Sequence, residues 1–169
     1  MKTRTEKKFL VRKIKEGIVI DHLPVGLGFT ILKILDLVPA KYTVVLAHNV
    51  ESKKLGRKDI LKVQNVWLEE NKLKIIALLA PKATVNYIKN WKVERKIRMK
   101  IPKKIEGIIK CPNALCITND EIEKKFIKTK FEVLKSNLIR CKYCGYLMSR
   151  EEIASNLSKG NFFVYSQKF

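Results

Sequence analysis

Four cysteines lie late in the chain and in two pairs: Cys111 and Cys116 with four residues between them, then, 24 residues later, Cys141 and Cys144 with two between them. Each short loop can bring two sulfurs to one ion, so the pattern matches a tetrahedral Zn(Cys)4 site with sulfur to metal distances of about 2.3 Å. Two disulfides or four unconnected thiols are the alternatives. An intracellular chain disfavours the first, and the paired spacing argues against the second. Four protein ligands leave no open position for water or substrate, so such an ion is structural. Apparent binding free energies of roughly 10 to 16 kcal/mol would supply folding energy that a segment this short cannot draw from its own core. Lys110, Arg140 and Lys142 flank the cysteines and are expected to help hold the cluster deprotonated.

No cysteine precedes Lys110, so the two halves of the chain differ chemically. The basic, proline-containing stretch Met99-Lys100-Ile101-Pro102-Lys103-Lys104 has linker composition. It divides the 169 residues into an expected domain at 1–101 and a second at 102–169. In the second, Ile105–Lys110, Lys125–Phe131 and Leu138–Cys141 read as short strands and Glu151–Leu157 as a short helix, a β-rich zinc ribbon. Beyond it, Ser158–Phe169 reads as an irregular extension with apolar anchors at Phe162, Phe163, Val164 and Tyr165.

The first half alternates strand and helix signals. Strands are expected at Gly17–Leu23, Thr43–Ala47, Asp59–Val66, Thr84–Lys89 and Lys92–Arg98. Helices are expected at Gly28–Leu37, stopped by Pro39, and at Glu69–Ala80, where Leu73, Ile76, Ala77 and Ala80 recur at helical spacing. The order β-α-β-β-α-β-β is that of a ferredoxin-like α+β sandwich with one extra strand, whose helices cover one sheet face and leave the other available.

Thirty-six lysines and arginines against 16 acids give a formal net charge of +20. Such a field attracts polyanions, whether nucleic acid, acidic protein surfaces or nucleotide phosphates. A basic chain carrying a zinc ribbon, with Trp91 beside the cationic Lys92–Lys104 stretch, leaves nucleic-acid binding open as the alternative. The basic residues are spread over both halves, however, and no RNA-recognition aromatic pair or helix-turn-helix pattern is legible. No uncharged stretch approaches the roughly 20 residues that cross a bilayer, and the basic N-terminus is not followed by an apolar run, so a cytoplasmic location is expected. Catalysis finds little support, since Asp21-His22 has no nucleophile motif beside it. Gly26-Leu27-Gly28 has Ile31 where a dinucleotide fingerprint needs a small residue, and reads as a helix entry.

Alternation offers a small-molecule site instead. Lys58, Ile60 and Lys62 share one strand face, as do Lys92, Lys96 and Arg98 on another, with Asn86 and Ile88 between these segments. Cations, an amide and an apolar contact on one open face suit a phosphorylated, planar ligand.

Several segments together carry a more specific signal. Val19-Ile20-Asp21-His22-Leu23-Pro24, Gly56-Arg57-Lys58-Asp59, Ala80-Pro81-Lys82-Ala83-Thr84-Val85-Asn86 and Cys111-Pro112-Asn113 with its partner cysteines run in order over residues 9–148. In this the chain resembles the regulatory chain of aspartate carbamoyltransferase. The resemblance implies a non-catalytic subunit of pyrimidine biosynthesis that forms homodimers and links trimers of the catalytic chain. CTP and ATP would compete for one N-terminal site, with UTP as a further candidate effector. Carried over by motif, His22 and Lys96 would contact the phosphates, and Lys62 and Asp21 the ribose or base. Lys58, Asn86, Ile88, Trp91 and Val93 would line the pocket, and Val11, Arg12, Lys13 and Ile14 would meet the base largely through backbone groups. Asn113 would belong to the catalytic-chain interface, and Cys111, Cys116, Cys141 and Cys144 would hold the zinc. The chain departs from the family pattern at Arg12 and Lys13, at Trp91 in place of Tyr, and at Gly145 and Tyr146, which stand where charged interface residues are usual.

Overall fold

A computed structural model describes residues 12–37, 41–134 and 138–159. Val11, Pro39 and the apolar anchors of the C-terminal extension lie outside the described residues. The first domain runs β1 (Gly17–Leu23), α1 (Leu27–Ile34), β2 (Val44–Ser52), β3 (Gly56–Gln64), α2 (Glu70–Leu79), β4 (Thr84–Lys89) and β5 (Lys92–Arg98). The strands form one antiparallel sheet in the order β2-β3-β1-β4-β5. That is the expected ferredoxin-like sandwich with β5 added outside β4.

Local chemistry accounts for these elements. The β-branched run Ile18-Val19-Ile20 favours the central strand β1. Helix α2 carries Glu70 in its first turn, where the helix dipole favours an acid, paired at 2.8 Å with Lys74 one turn on. Asn90 (φ 48°) and Trp91 (φ 66°) both adopt left-handed backbone, which makes a tight turn whose twist matches the β4–β5 hairpin. On the covered sheet face Ile18, Ile20, Leu61, Val63 and Val85 pack with Ile31, Leu35, Ile76 and Leu79 of the helical layer, all essentially without solvent contact. Helix α1 is shorter than its periodicity suggests, because Leu35 caps it and Asp36 turns left-handed (φ 54°).

The second domain is a four-stranded sheet in the order β6 (Lys104–Glu106), β7 (Lys130–Val133), β8 (Ile139–Cys141), β9 (Leu147–Met148), followed by α3 (Arg150–Ser158). Two expectations need correction here, and one short strand had none. The first strand stops at Glu106 because Gly107 adopts φ 64°. The second begins only at Lys130, since Glu123–Lys125 forms a 3-10 turn. Strand β9 has only two residues, too few to leave a periodic signal. Helix α3 begins with a side-chain N-cap, Ser149 Oγ accepting from the Glu152 N–H at 3.2 Å. Its buried Ile153 and Leu157 join one continuous core, and α3 touches both α1 and α2 of the first domain.

Candidate functional site

The four cysteines converge. All four Sγ atoms lie within 4.8 Å of one another, with Cys111 3.5 Å from Cys144 and Cys116 3.9 Å from Cys141. Four thiolates at tetrahedral zinc distances stand about 3.8 Å apart, so the spacing fits a thiolate-bound ion of that size. Backbone geometry builds each knuckle. In the first, the Asn113 carbonyl accepts from the Cys116 N–H at 3.0 Å and from the Asn119 side chain at 2.8 Å, while Asn113 Oδ1 accepts from the Leu115 N–H. In the second, Cys141 accepts from the Gly145 N–H at 3.0 Å, with Gly145 at φ 75°. Thr118 Oγ1 reaches Cys116 Sγ at 3.2 Å as an outer partner.

The donor chemistry demands a cation. Burial pushes the Cys111 thiol well up, only partly offset by the Asn113 backbone, and the neighbouring thiols raise it further. Burial also raises Cys141. Burial would raise Cys144 as well, but the Tyr146 backbone N–H and the side chains of Asn113, Cys111 and Cys116 hold it down at about 7. A bound metal displaces the protons of the thiols it takes as ligands and offsets the cost of gathering their charges. The expected help from flanking cations is reduced, because Arg140 and Lys142 both engage Glu132.

On the sheet, pairing register decides which side chains share the open face, since directly paired residues point the same way. One row crosses all five strands: Val45 of β2, Lys62 of β3, Val19 of β1, Asn86 of β4 and Lys96 of β5. Asp59, Leu61 and Val63 alternate with Lys58, Ile60 and Lys62 and are buried on the helical side. Towards one end of the face Asp21, Thr84 and Arg98 form the adjoining row. Towards the other, Gly17, Ile88 and Val93 do.

One sequence expectation changes at β5, that for Lys92. The register slips between Tyr87 and Ile88, leaving Glu94 as the extra residue, so Val93 pairs with Ile88 and faces the open side. Lys92 pairs instead with Lys89 and does not share the face of Lys96 and Arg98. Trp91 is more than half exposed in the turn, and its N–H donates to Lys15 O at 3.0 Å. That contact, with Asn65 N–H to Glu16 O at 3.3 Å, lays the segment before β1 along the Ile88–Val93 end. There the Arg12 carbonyl accepts from Lys62 Nζ at 2.8 Å, Lys13 is exposed, and the Ile14 side chain is buried, leaving its backbone as its polar offering.

A bulge shapes the opposite end. Ile20 pairs with Leu61 and Leu23 with Asp59, so Asp21 and His22 together oppose the single residue Ile60. His22 takes φ 61°, a left-handed conformation uncommon for a side-chain-bearing residue, and both side chains are carried off the core. Lys58 Nζ donates to Asp21 Oδ1 at 2.7 Å, and the His22 N–H donates to the same oxygen at 2.6 Å. His22 Nδ1 lies 3.3 Å from Asp21 Oδ2 but without hydrogen-bond alignment, so this buried nitrogen has no partner. Burial lowers the His22 pKa, Asp21 opposes the shift, and Lys58, Lys54 and Lys96 add to it. Lys62 is likewise lowered by burial, with Asp21 pulling the other way.

Behind this end lies a residue that sequence reasoning passed over. Asp59 is fully buried, and its carboxylate accepts from the Gly26 N–H (2.9 Å), the Gly28 N–H (3.1 Å) and the Asn49 N–H (2.9 Å), with His48 Nδ1 at 3.0 Å. It caps the first turn of α1 from across the fold and pins a second bulge, between Ala47 and Val50 of β2. The signal was available: an acid at the core parity of a strand, in phase with Leu61 and Val63. Gly26-Leu27-Gly28 is the helix entry expected, with Gly26 at φ 88° and Gly28 so close to Asp59 that an added Cβ would stand 3.1 Å from Oδ2.

Known protein families match both parts of the chain. Residues 9–100 match the family model of the aspartate carbamoyltransferase regulatory chain, allosteric domain, and residues 103–154 match that of its metal binding domain. A regulatory chain from Pyrococcus horikoshii is 50% identical over 151 residues, 87% of this chain and 97% of that relative. One from Staphylothermus marinus is 44% identical over 149 residues (86% and 90%). Another, from Saccharolobus solfataricus, is 41% identical over 149 residues (86% and 92%).

Proposed function

The chain belongs to the family of aspartate carbamoyltransferase regulatory chains, and on that premise we propose that its first domain binds nucleotide effectors on the open sheet face while its cysteine domain, built around zinc, grips the catalytic chain. CTP and ATP compete for the one site, and UTP is a further candidate. The observation that carries this reading is the row Lys62, Val19, Asn86 and Lys96, flanked by the Asp21–His22 bulge at one end and by Ile88 and Val93 at the other. It supplies cations for phosphates beside the partly exposed His22 side chain, an amide for a base edge, and an apolar contact for a ring.

The two domains, 1–101 and 102–169 in this reading, divide the work. Zinc folds the second domain and leaves no ligand position for chemistry. Around the first knuckle Leu115, Ile122 and Phe126 are largely exposed, Leu115 at 94%, an apolar surface suited to the catalytic chain. Asn113 shapes that surface by holding the knuckle loop. A regulatory homodimer finds its edge in β2, whose Val44-Val45-Leu46-Ala47 carries no charge, whereas five of the seven residues of β5 are charged.

Coupling runs through contact: the Asp21–His22 bulge leads within a few residues into α1, and α1 packs on α3 of the cysteine domain. Nucleotides that bind two quaternary states unequally shift their populations, typically by about 1 to 3 kcal/mol. The assembly acts in the cytoplasm, and among the described residues no helix is long and apolar enough to cross a membrane. Calorimetric titration of CTP into the purified chain, with ATP as competitor, tests the site: one competitive binding event per chain supports it, and independent or absent binding removes it.

A further inference from the structure

The lysines of the open face are already partly spent before any ligand arrives. Lys58 is paired with Asp21 at 2.7 Å, Lys62 donates to the Arg12 carbonyl, and His22 is held towards its neutral form. A polyphosphate carries several negative charges, more than Lys96 and Arg98 of the same face balance. A further cation stands nearby. Ser52 pairs with Gly56, so Lys53, Lys54 and Leu55 form the tip of the β2–β3 hairpin, closed by the Leu55 N–H to Ser52 Oγ at 3.3 Å. Lys54 is exposed and makes no hydrogen bond or ion pair among the described residues. Lys58 of β3, Lys96 of β5 and Lys54 of the hairpin tip, from three separate elements, all add to the lowering of the His22 pKa.

Direction along β3 gives the order. Lys62, the row partner of Asn86 through Val19, lies at the base end in the effector reading, and Lys58 with its Asp21–His22 partners lies about 13 Å further along the strand at 3.3 Å per residue. The hairpin tip lies beyond Lys58 on the same line. We propose that Lys54 is a specificity-determining residue that contacts the terminal phosphate, so that the site measures the length of the phosphate chain. This rests on the effector reading. The unpaired lysine gains most from a ligand whose charge extends past His22, and a nucleoside monophosphate ends before reaching it.

The test is calorimetric titration of the full chain with CTP, CDP and CMP, using wild type, Lys54→Gln and Lys54→Arg. Lys54→Gln is expected to weaken CTP by about fivefold to tenfold and leave CMP unchanged, with Lys54→Arg restoring CTP binding. Equal weakening of CTP and CMP, or no weakening of either, overturns the role of Lys54 while the effector site stands. A wild-type chain that binds none of the three nucleotides overturns the effector reading and this inference with it.

Discussion

Lys58 Nζ lies 2.7 Å from Asp21 Oδ1, and the bulge that brings Asp21 to that lysine also turns His22 into left-handed backbone and leaves its Nδ1 without a partner. Burial and three lysines lower the His22 pKa below 6.5. The unfolded chain therefore binds more protons here than the folded one, so this group's contribution to stability is present above about pH 6.5 and is lost as pH falls from there through the lower folded-state value. Phosphates arriving at His22 reverse the preference and raise its pKa. CTP binding is expected to take up protons between the free-state and bound-state values, with affinity falling as pH rises from 6 to 8. Titration in buffers of different ionisation heat measures the uptake. His22→Gln is expected to abolish it.

Asp59 satisfies three backbone N–H groups from two otherwise unrelated segments. Asp59→Ala leaves them unpaired in the interior and is expected to cost about 3 to 5 kcal/mol in chemical denaturation of the whole chain. Gly28→Ala presses a Cβ to 2.5 Å from Leu46 Cδ1 and 3.1 Å from Asp59 Oδ2, and is expected to destabilise by about 1 to 3 kcal/mol although alanine is the better helix former. Stability unchanged in both variants would contradict the buried cap.

Metal removal should act on one domain. Chelation, or Cys141→Ser, is expected to abolish amide protection at Ile105, Phe131 and Ile139 while Ile18, Leu61 and Val85 remain protected. Hydrogen exchange read by mass spectrometry separates the two. Uniform loss of protection would mean that the first domain depends on α3 to stay folded.

The exposed apolar side chains beside the first knuckle give a binding prediction. Leu115→Ser, Ile122→Ser and Phe126→Ser are each expected to weaken attachment to the catalytic chain by more than about 1 kcal/mol, with metal content unchanged. Sedimentation of the mixed chains reads this. Full assembly by the triple variant would place the interface elsewhere.

Much of this architecture was legible before the structure. All seven elements of the first domain follow from periodicity, because β-branched runs such as Ile18-Val19-Ile20 and the heptad-like spacing of α2 are long enough to signal themselves. The cysteine cluster follows from coordination chemistry. What escaped was set by one-residue events: the extra Glu94 that moves Lys92 off the open face, the bulge at His22, and the 3-10 turn that delays β7 to Lys130. A period-2 reading carries no information about where a strand slips. Asp59 was visible as a parity violation, but its role needed the approach of Gly26 and Gly28, more than 30 residues away in sequence.

The central claim is that nucleotides on the open face act on a catalytic chain through this one. The most direct measurement is the aspartate saturation curve of the catalytic chain assembled with either the wild-type protein or Lys96→Ala, titrated with CTP and with ATP. The account predicts that both nucleotides move the half-saturation point in the wild-type assembly, and that Lys96→Ala requires about tenfold more of either to do so. A wild-type assembly whose curve neither nucleotide moves would contradict it.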